Sequence, residues 1–237
     1  MSFGLLSLGF LLGMRHALET DHVAAVASLA TRSASVRETI RQGAVWGLGH
    51  TLTLFAFGSV VLLMDTVMPQ RLAQGLELAV GVMLVGLGID VLRRVIRERI
   101  HFHVHRHDDG VRHFHAHSHA GERGHPELHH HQHVRGFPLR ALFVGLMHGM
   151  AGSAALILLT LQTVQSPLTG LLYIALFGIG SIAGMAALSA IIAVPLRYSA
   201  RGLTWLHNGL QLGIGAMTLA IGALVVYRIG FVDGLLV

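Results

Sequence analysis

Six apolar runs, near residues 3–30, 43–65, 72–92, 139–163, 168–194 and 205–228, most constrain what this chain can fold into. Each reaches the roughly 20 residues an α-helix needs to cross the hydrocarbon core of a bilayer. At that depth no water serves the backbone amides and carbonyls, so a spanning segment closes its hydrogen bonds within itself as a helix. The runs lack the period-two alternation of barrel strands. With 53% hydrophobic and 12% charged residues, a soluble domain could not hide so much apolar surface. The expected architecture is an all-α polytopic membrane protein of six transmembrane helices seated in a lipid bilayer. The first run has no basic segment ahead of it, so it reads as a retained span rather than a signal peptide.

The first run is unusual because Arg15, His16, Glu19, Asp21 and His22 lie inside it. Ionisable side chains at membrane depth cost several kcal/mol each and by default mark a functional site. Imidazole and carboxylate together suit borderline divalent ions such as nickel, cobalt and zinc. On a regular helix His16, Asp21 and His22 fan out roughly 120° apart, so they reach one ion only if the helix is interrupted, with Gly13 a candidate position, or if other helices complete the site. Arg15, Glu19 and His22 share a face, which makes Glu19 the expected partner of Arg15. The plainer alternative is a satisfied polar cluster that fixes helix packing.

Arginine sets orientation, there being no lysine, and it does so as a topology signal rather than by recruiting nucleic acid. Arg32, Arg37, Arg41, the segment from Arg93 to Arg140, Arg197 and Arg201 fall on one side; Arg71 and Arg228 fall on the other. The first side is then cytoplasmic and both termini face out of a multi-pass protein of the cell membrane. Cysteine is absent, which excludes disulfides and thiolate ligands.

Stacking the runs brings out a repeat. Gly13-Met14-Arg15-His16 aligns with Gly145-Leu146-Met147-His148, Gly47-Leu48-Gly49-His50 with Gly178-Ile179-Gly180-Ser181, and Gly81-Val82-Met83 with Gly215-Ala216-Met217. Three spans repeated as three spans must be inverted, as in many secondary transporters. The expected organisation is a first three-helix repeat at 1–92, a disordered His-rich cytoplasmic loop at 93–138, and a second three-helix repeat at 139–237.

His50 and His148 each lie roughly 10–14 Å into spans that start at the cytoplasmic face, and His22 about 12 Å from the cytoplasmic end of the first span. Residues His16, Asp21, His22, His50 and His148 are therefore the candidate metal ligands, clustered near the midplane. Asp90 reads as a surface partner of Arg93 and Arg94. Glu77 is a shallow outer residue, and His207 with Asn208 is interfacial. Met14, Met147, Met150 and Met185 suit core filling better than Cu(I). Residues 101–133 hold 13 of the 18 histidines, a composition that binds divalent metals loosely and without fixed geometry. Metal buffering or sensing is the role expected of it, ahead of pH sensing.

These motifs resemble the nickel/cobalt transporter superfamily, which includes the high-affinity nickel permeases and the smaller urease-accessory-like membrane proteins. His16-x4-Asp21-His22 matches the family signature, and Leu48-Gly49-His50-Thr51 resembles its second motif. Gly184-Met185-Ala186-Ala187-Leu188-Ser189 resembles a Gly-Met-x3-Asp motif with Ser189 at the Asp position. An Asp-Thr-rich motif of the second half is absent, with His148 to Ala155 in its place, and the larger members have eight spans rather than six. The resemblance implies a transporter rather than an enzyme. It carries nickel or cobalt, with zinc as an alternative, as cargo and needs no cofactor. Metallochaperones and urease or hydrogenase maturation proteins are the partners it implies. Members with a His-rich cytoplasmic loop include exporters, whereas permeases import. Two other classes fit the residues: a membrane-embedded metalloenzyme (a zinc hydrolase or di-iron oxidase) and a metal-sensing accessory protein that transports nothing.

Overall fold

The computed structural model describes residues 3–33, 35–64, 69–97, 101–106, 112–117, 138–149, 166–200 and 203–236. Its helices are α1 (Phe3–His16), α2 (Thr20–Ala30), α3 (Val36–Met64), α4 (Gln70–Arg97), α5 (Leu139–His148), α6 (Pro167–Ala200) and α7 (Thr204–Tyr227). The last continues as a π-helical turn over Arg228–Val232. Among the described residues four helices, α3, α4, α6 and α7 with its π turn, are long and apolar enough to cross a bilayer. The chain is a helical membrane protein. Three of the four begin or end several residues outside the expected apolar runs, because polar residues at a span's ends continue the helix into the interface without cost.

The first expected span is two helices rather than one. Neither α1, of 14 residues, nor α2, of 11, is long enough to cross at 1.5 Å per residue. The chain turns through Ala17, Leu18 and Glu19, with Glu19 extended at φ −63° and ψ 146°. The turn stays closed on itself: Leu18 N–H donates to the Arg15 carbonyl at 2.9 Å, and Glu19 N–H to that of His16 at 3.0 Å. Irregular backbone at membrane depth is tolerated where protein surrounds it and its polar groups are paired. The fourth expected span begins as α5, which ends at His148; residues 150–165, the rest of that span, lie outside the described residues.

Helix α2 is the centre of the core. Every residue from Ala24 to Ala30 is buried, packed on Trp46 of α3, Leu84 of α4, Val144 of α5 and Met185 of α6. A polar tie joins α2 to α7, where the Ser28 and Thr218 hydroxyls lie 2.9 Å apart and Thr218 also donates to the Ala24 carbonyl. At the α2 end of the bundle Asp90 accepts from Arg32 Nε at 3.1 Å and from Arg140 at 3.2 Å, with Arg94 at 3.7 Å. The expected Arg94 pair is thus one part of a network joining α2, α4 and α5.

Lipid tails are as apolar as leucine, so helices associate in a membrane through close backbone approach at small residues. The approaches here are reciprocal. Gly13 abuts the Phe177 carbonyl on α6, and Gly145 abuts the Trp46 carbonyl on α3. Gly180 meets Phe10 of α1 as Gly49 meets Leu142 of α5, and Gly88 meets Leu219 of α7 as Gly222 meets Val85 of α4. Gly43 lies by Ser189 and Gly58 by Ile174, so α3 and α6 run antiparallel; Gly81 lies by Val225 and Gly88 by Leu219, so α4 and α7 do too. A Cβ at Gly145 has no room beside the Trp46 backbone. Gly145→Val is therefore expected to cost about 1–3 kcal/mol through overpacking, read as a lowered unfolding midpoint in detergent. Gly75, with open space around it, is the control, where Gly75→Ala should be neutral or slightly stabilising.

The His-rich loop expected to be disordered contains paired backbone at twelve residues. His101–Arg106 and Arg112–His117 form an antiparallel ribbon in which His101 registers with His117, His103 with His115 and His105 with His113. The alternation of His with Phe102, Val104, Phe114 and Ala116 is a strand period, a signal that a count of histidines does not register. Residues 118–137 of the loop lie outside the described residues.

Candidate metal centre

Four chain segments deliver one cluster. His16 is the last residue of α1, Asp21 and His22 stand in the first turn of α2, His50 lies midway along α3, and His148 is the last residue of α5. The close glycine contacts explain the delivery. Gly145 against Trp46 and Gly149 against the His50 carbonyl pin the end of α5 to α3, so His148 arrives beside His50. Gly13 against Phe177, and Gly184 against Met14 and Ala17, pin the end of α1 to α6. The turn at residues 17–19 then folds His22 back toward His16. All five residues expected from the sequence are brought together.

The four imidazoles are buried, between 0% and 4% exposed. Ring centroids of His16 and His22, and of His22 and His148, are each 4.3 Å apart; His50 lies 5.1 Å from both His16 and His22. Asp21 ties two of the rings, accepting from His22 Nδ1–H at 2.8 Å on one oxygen and from His148 Nε2–H at 2.9 Å on the other. It also accepts from the His22 backbone N–H at 2.9 Å. On the other side, His16 Nδ1 lies 2.8 Å from Glu19 Oε1 and His16 Nε2 lies 3.2 Å from His50 Nε2.

With neutral rings this network assigns every proton. His16 donates through Nδ1 to Glu19, and its Nε2 accepts from His50. The bare nitrogens are then His22 Nε2, His50 Nδ1 and His148 Nδ1, and these three are buried without a hydrogen-bond partner among the described residues. A buried acceptor left unpaired costs about 1–3 kcal/mol. Such a concentration of unpaired donor atoms is what a metal-binding cluster requires. Among the described residues two overlapping sets have ligand atoms within 4.8 Å of one another: His16, His22 and His50, and Asp21, His22 and His148. Imidazole and carboxylate fit a borderline divalent cation.

The expected Arg15–Glu19 pair is not formed. The turn at residues 17–19 takes Glu19 out of helical register with Arg15, which is exposed, and gives its carboxylate to His16. Glu19 acts behind a candidate ligand, the position from which a carboxylate fixes tautomer and ring orientation. Glu19→Gln should weaken metal affinity of the cluster about 10-fold with little loss of fold stability, measured by equilibrium binding in detergent.

Sequence reasoning gave Trp46 no role. It is fully buried, and its indole lies 5.4 Å from the His22 ring and 5.5 Å from that of His148. Its spacing one turn before His50 was the available signal. His207 stands apart from the cluster, held by the Leu196 carbonyl at 3.1 Å and Gln211 at 2.8 Å. Met185 is core, and Ser189 is buried beside Gly43 rather than among the imidazoles.

Over 234 residues, covering 98% of this chain and 94% of the other, the sequence is 35% identical to the urease accessory protein UreH of Bacillus sp. (strain TB-90). No family model matches the chain. No solved structure matches it either.

Proposed function

The chain belongs to the nickel/cobalt transporter superfamily, and from that membership we propose that it carries a divalent transition-metal ion across the cell membrane. Nickel or cobalt is the cargo in this reading, with zinc as the alternative. The observation that carries it is the convergence of four buried imidazoles and one carboxylate from separate helices. Asp21 supplies the charge a dication needs in an apolar medium, and His16, His22, His50 and His148 supply selectivity for borderline ions.

The transport reading extends to architecture. Six spans form two inverted three-helix repeats, residues 1–92 and 139–237, in which α1, α3 and α4 correspond to α5, α6 and α7. The reciprocal glycine contacts support it, since each is repeated at a constant offset within its helix pair. The antiparallel course of α3 against α6 and of α4 against α7 supports inversion. The arginine distribution supports cytoplasmic loops at residues 31–35 and 98–138 and termini that face out. UreH is named as a urease accessory protein, which favours urease maturation as the consumer of the ion.

The decisive experiment is metal flux in sealed proteoliposomes. Nickel or cobalt flux that depends on the protein is expected. Tight binding with no flux of nickel, cobalt or zinc would instead favour a sensing or enzymatic role. Deleting residues 101–133 should leave flux in place and shift its dependence on metal concentration, because ligands in that segment buffer rather than conduct. Complete loss of flux in a folded deletion protein would make the segment part of the path.

A further inference from the structure

The two ligand sets at the cluster share one ring, and the shared ring limits how they can be filled. His16, His22 and His50 form an all-imidazole set; Asp21, His22 and His148 form a set containing the carboxylate. Both lean on His22. A neutral imidazole carries one proton and exposes one bare nitrogen at a time. In this structure the His22 Nδ1–H donates to Asp21, which leaves Nε2 as the nitrogen able to complete the all-imidazole set. The nitrogen of His22 that faces the carboxylate set is Nδ1, 2.8 Å from Asp21 Oδ1, so service in that set calls on a bare Nδ1 with the ring proton on Nε2. The two sets therefore need opposite tautomers of the same side chain. Two dications this close would also repel each other strongly across a medium of low dielectric.

We propose that the cluster is two alternative cation positions joined by His22, filled one at a time, with the ion handed from one face of the ring to the other. This rests on the transport reading for its purpose, but not for its chemistry. Each transfer breaks the bonds to one His22 nitrogen and to the two other ligands of the set being left, and forms bonds to the second His22 nitrogen and to the two other ligands of the set being entered, while the His22 ring proton moves to the nitrogen being vacated. The net proton count is unchanged. His16 and His50 hold the ion on one side, and Asp21 and His148 receive it on the other. Flanking carboxylates keep both sides in order: Glu19 fixes the His16 ring, and Asp21 orients His22 and His148.

The test is Co2+ binding to the full-length protein in detergent, because bound Co2+ reports its ligands through visible absorption. His22→Asn lacks both positions and keeps the His-rich segment, so its Co2+ uptake is the baseline to subtract. Above that baseline the parent protein should bind one ion per chain. Asp21→Asn and His50→Ala should each still bind one ion, with affinity weakened about 10- to 100-fold, and their absorption bands should differ because one position is all-imidazole and the other contains a carboxylate. The double variant Asp21→Asn/His50→Ala should fall to baseline. If His50→Ala does not fold, His16→Asn removes the same position. Two ions above baseline in the parent would overturn the proposal, as would loss of all binding in either single variant, or identical spectra in both. Failure of the transport reading is seen separately, as absence of flux by a parent protein that binds one ion.

Discussion

With Asp21 replaced by Asn, nickel or cobalt flux through the reconstituted protein is expected to fall at least about 100-fold. Two unit charges 4 Å apart attract by about 4 kcal/mol at an effective dielectric of 20, and a dication doubles that to about 8 kcal/mol. Forfeiting even about 3 kcal/mol of it exceeds a factor of 100. Among the described residues Asp21 is the only acid hydrogen-bonded to the His22 and His148 rings, and Glu19 is engaged with His16 on the other side. Asn keeps the shape and one carbonyl oxygen, so helix α2 and the fold should survive. Flux at matched protein content, beside an unfolding midpoint, checks both halves. Transport near the parental rate would mean that the path lies elsewhere and that Asp21 only holds the rings in order.

His22→Asn should go further and abolish binding at the cluster together with flux. Its ring is within 4.3 Å of both His16 and His148, and both ligand sets need it. Losing one of three ligands in each set leaves two, too few to hold a dication in place of its water shell, so affinity should drop by more than about 100-fold. Fold stability should change little, because the substitution also removes a buried ring nitrogen that has no hydrogen-bond partner among the described residues. Equilibrium dialysis with nickel, corrected for uptake by the His-rich segment, separates this outcome from simple misfolding. Parental binding by a folded His22→Asn protein would reduce the ring to a packing element between its neighbours.

Much of the site was legible because its signals are local. A run of apolar residues interrupted by His16, Asp21 and His22 is costly in a membrane whatever surrounds it, so the sequence names those residues as functional before any fold is known. His50 and His148 followed from counting depth along spans of fixed rise. The position of the break was less visible. Gly13 is the candidate, yet it lies inside α1, packed on Phe177, and the chain turns over the three residues that follow His16. A glycine inside a membrane helix can mark close packing as well as a break, and periodicity does not distinguish the two.

The partner of Glu19 could not be read at all from helix register. An i,i+4 rule gives it to Arg15, and only the turn at residues 17–19 gives it to His16. Trp46 likewise looked like one more apolar residue of a span, and its place against His22 and His148 depends on Gly145 allowing α5 to lie against α3. The amino-acid sequence alone determined that helices cross a bilayer and which side chains are too costly there to be idle, because hydropathy and spacing act within a single helix. Which of those side chains meet, which nitrogens stay bare, and that His22 stands between two ligand sets were decided by tertiary structure, because those depend on backbone approaches between helices far apart in the chain.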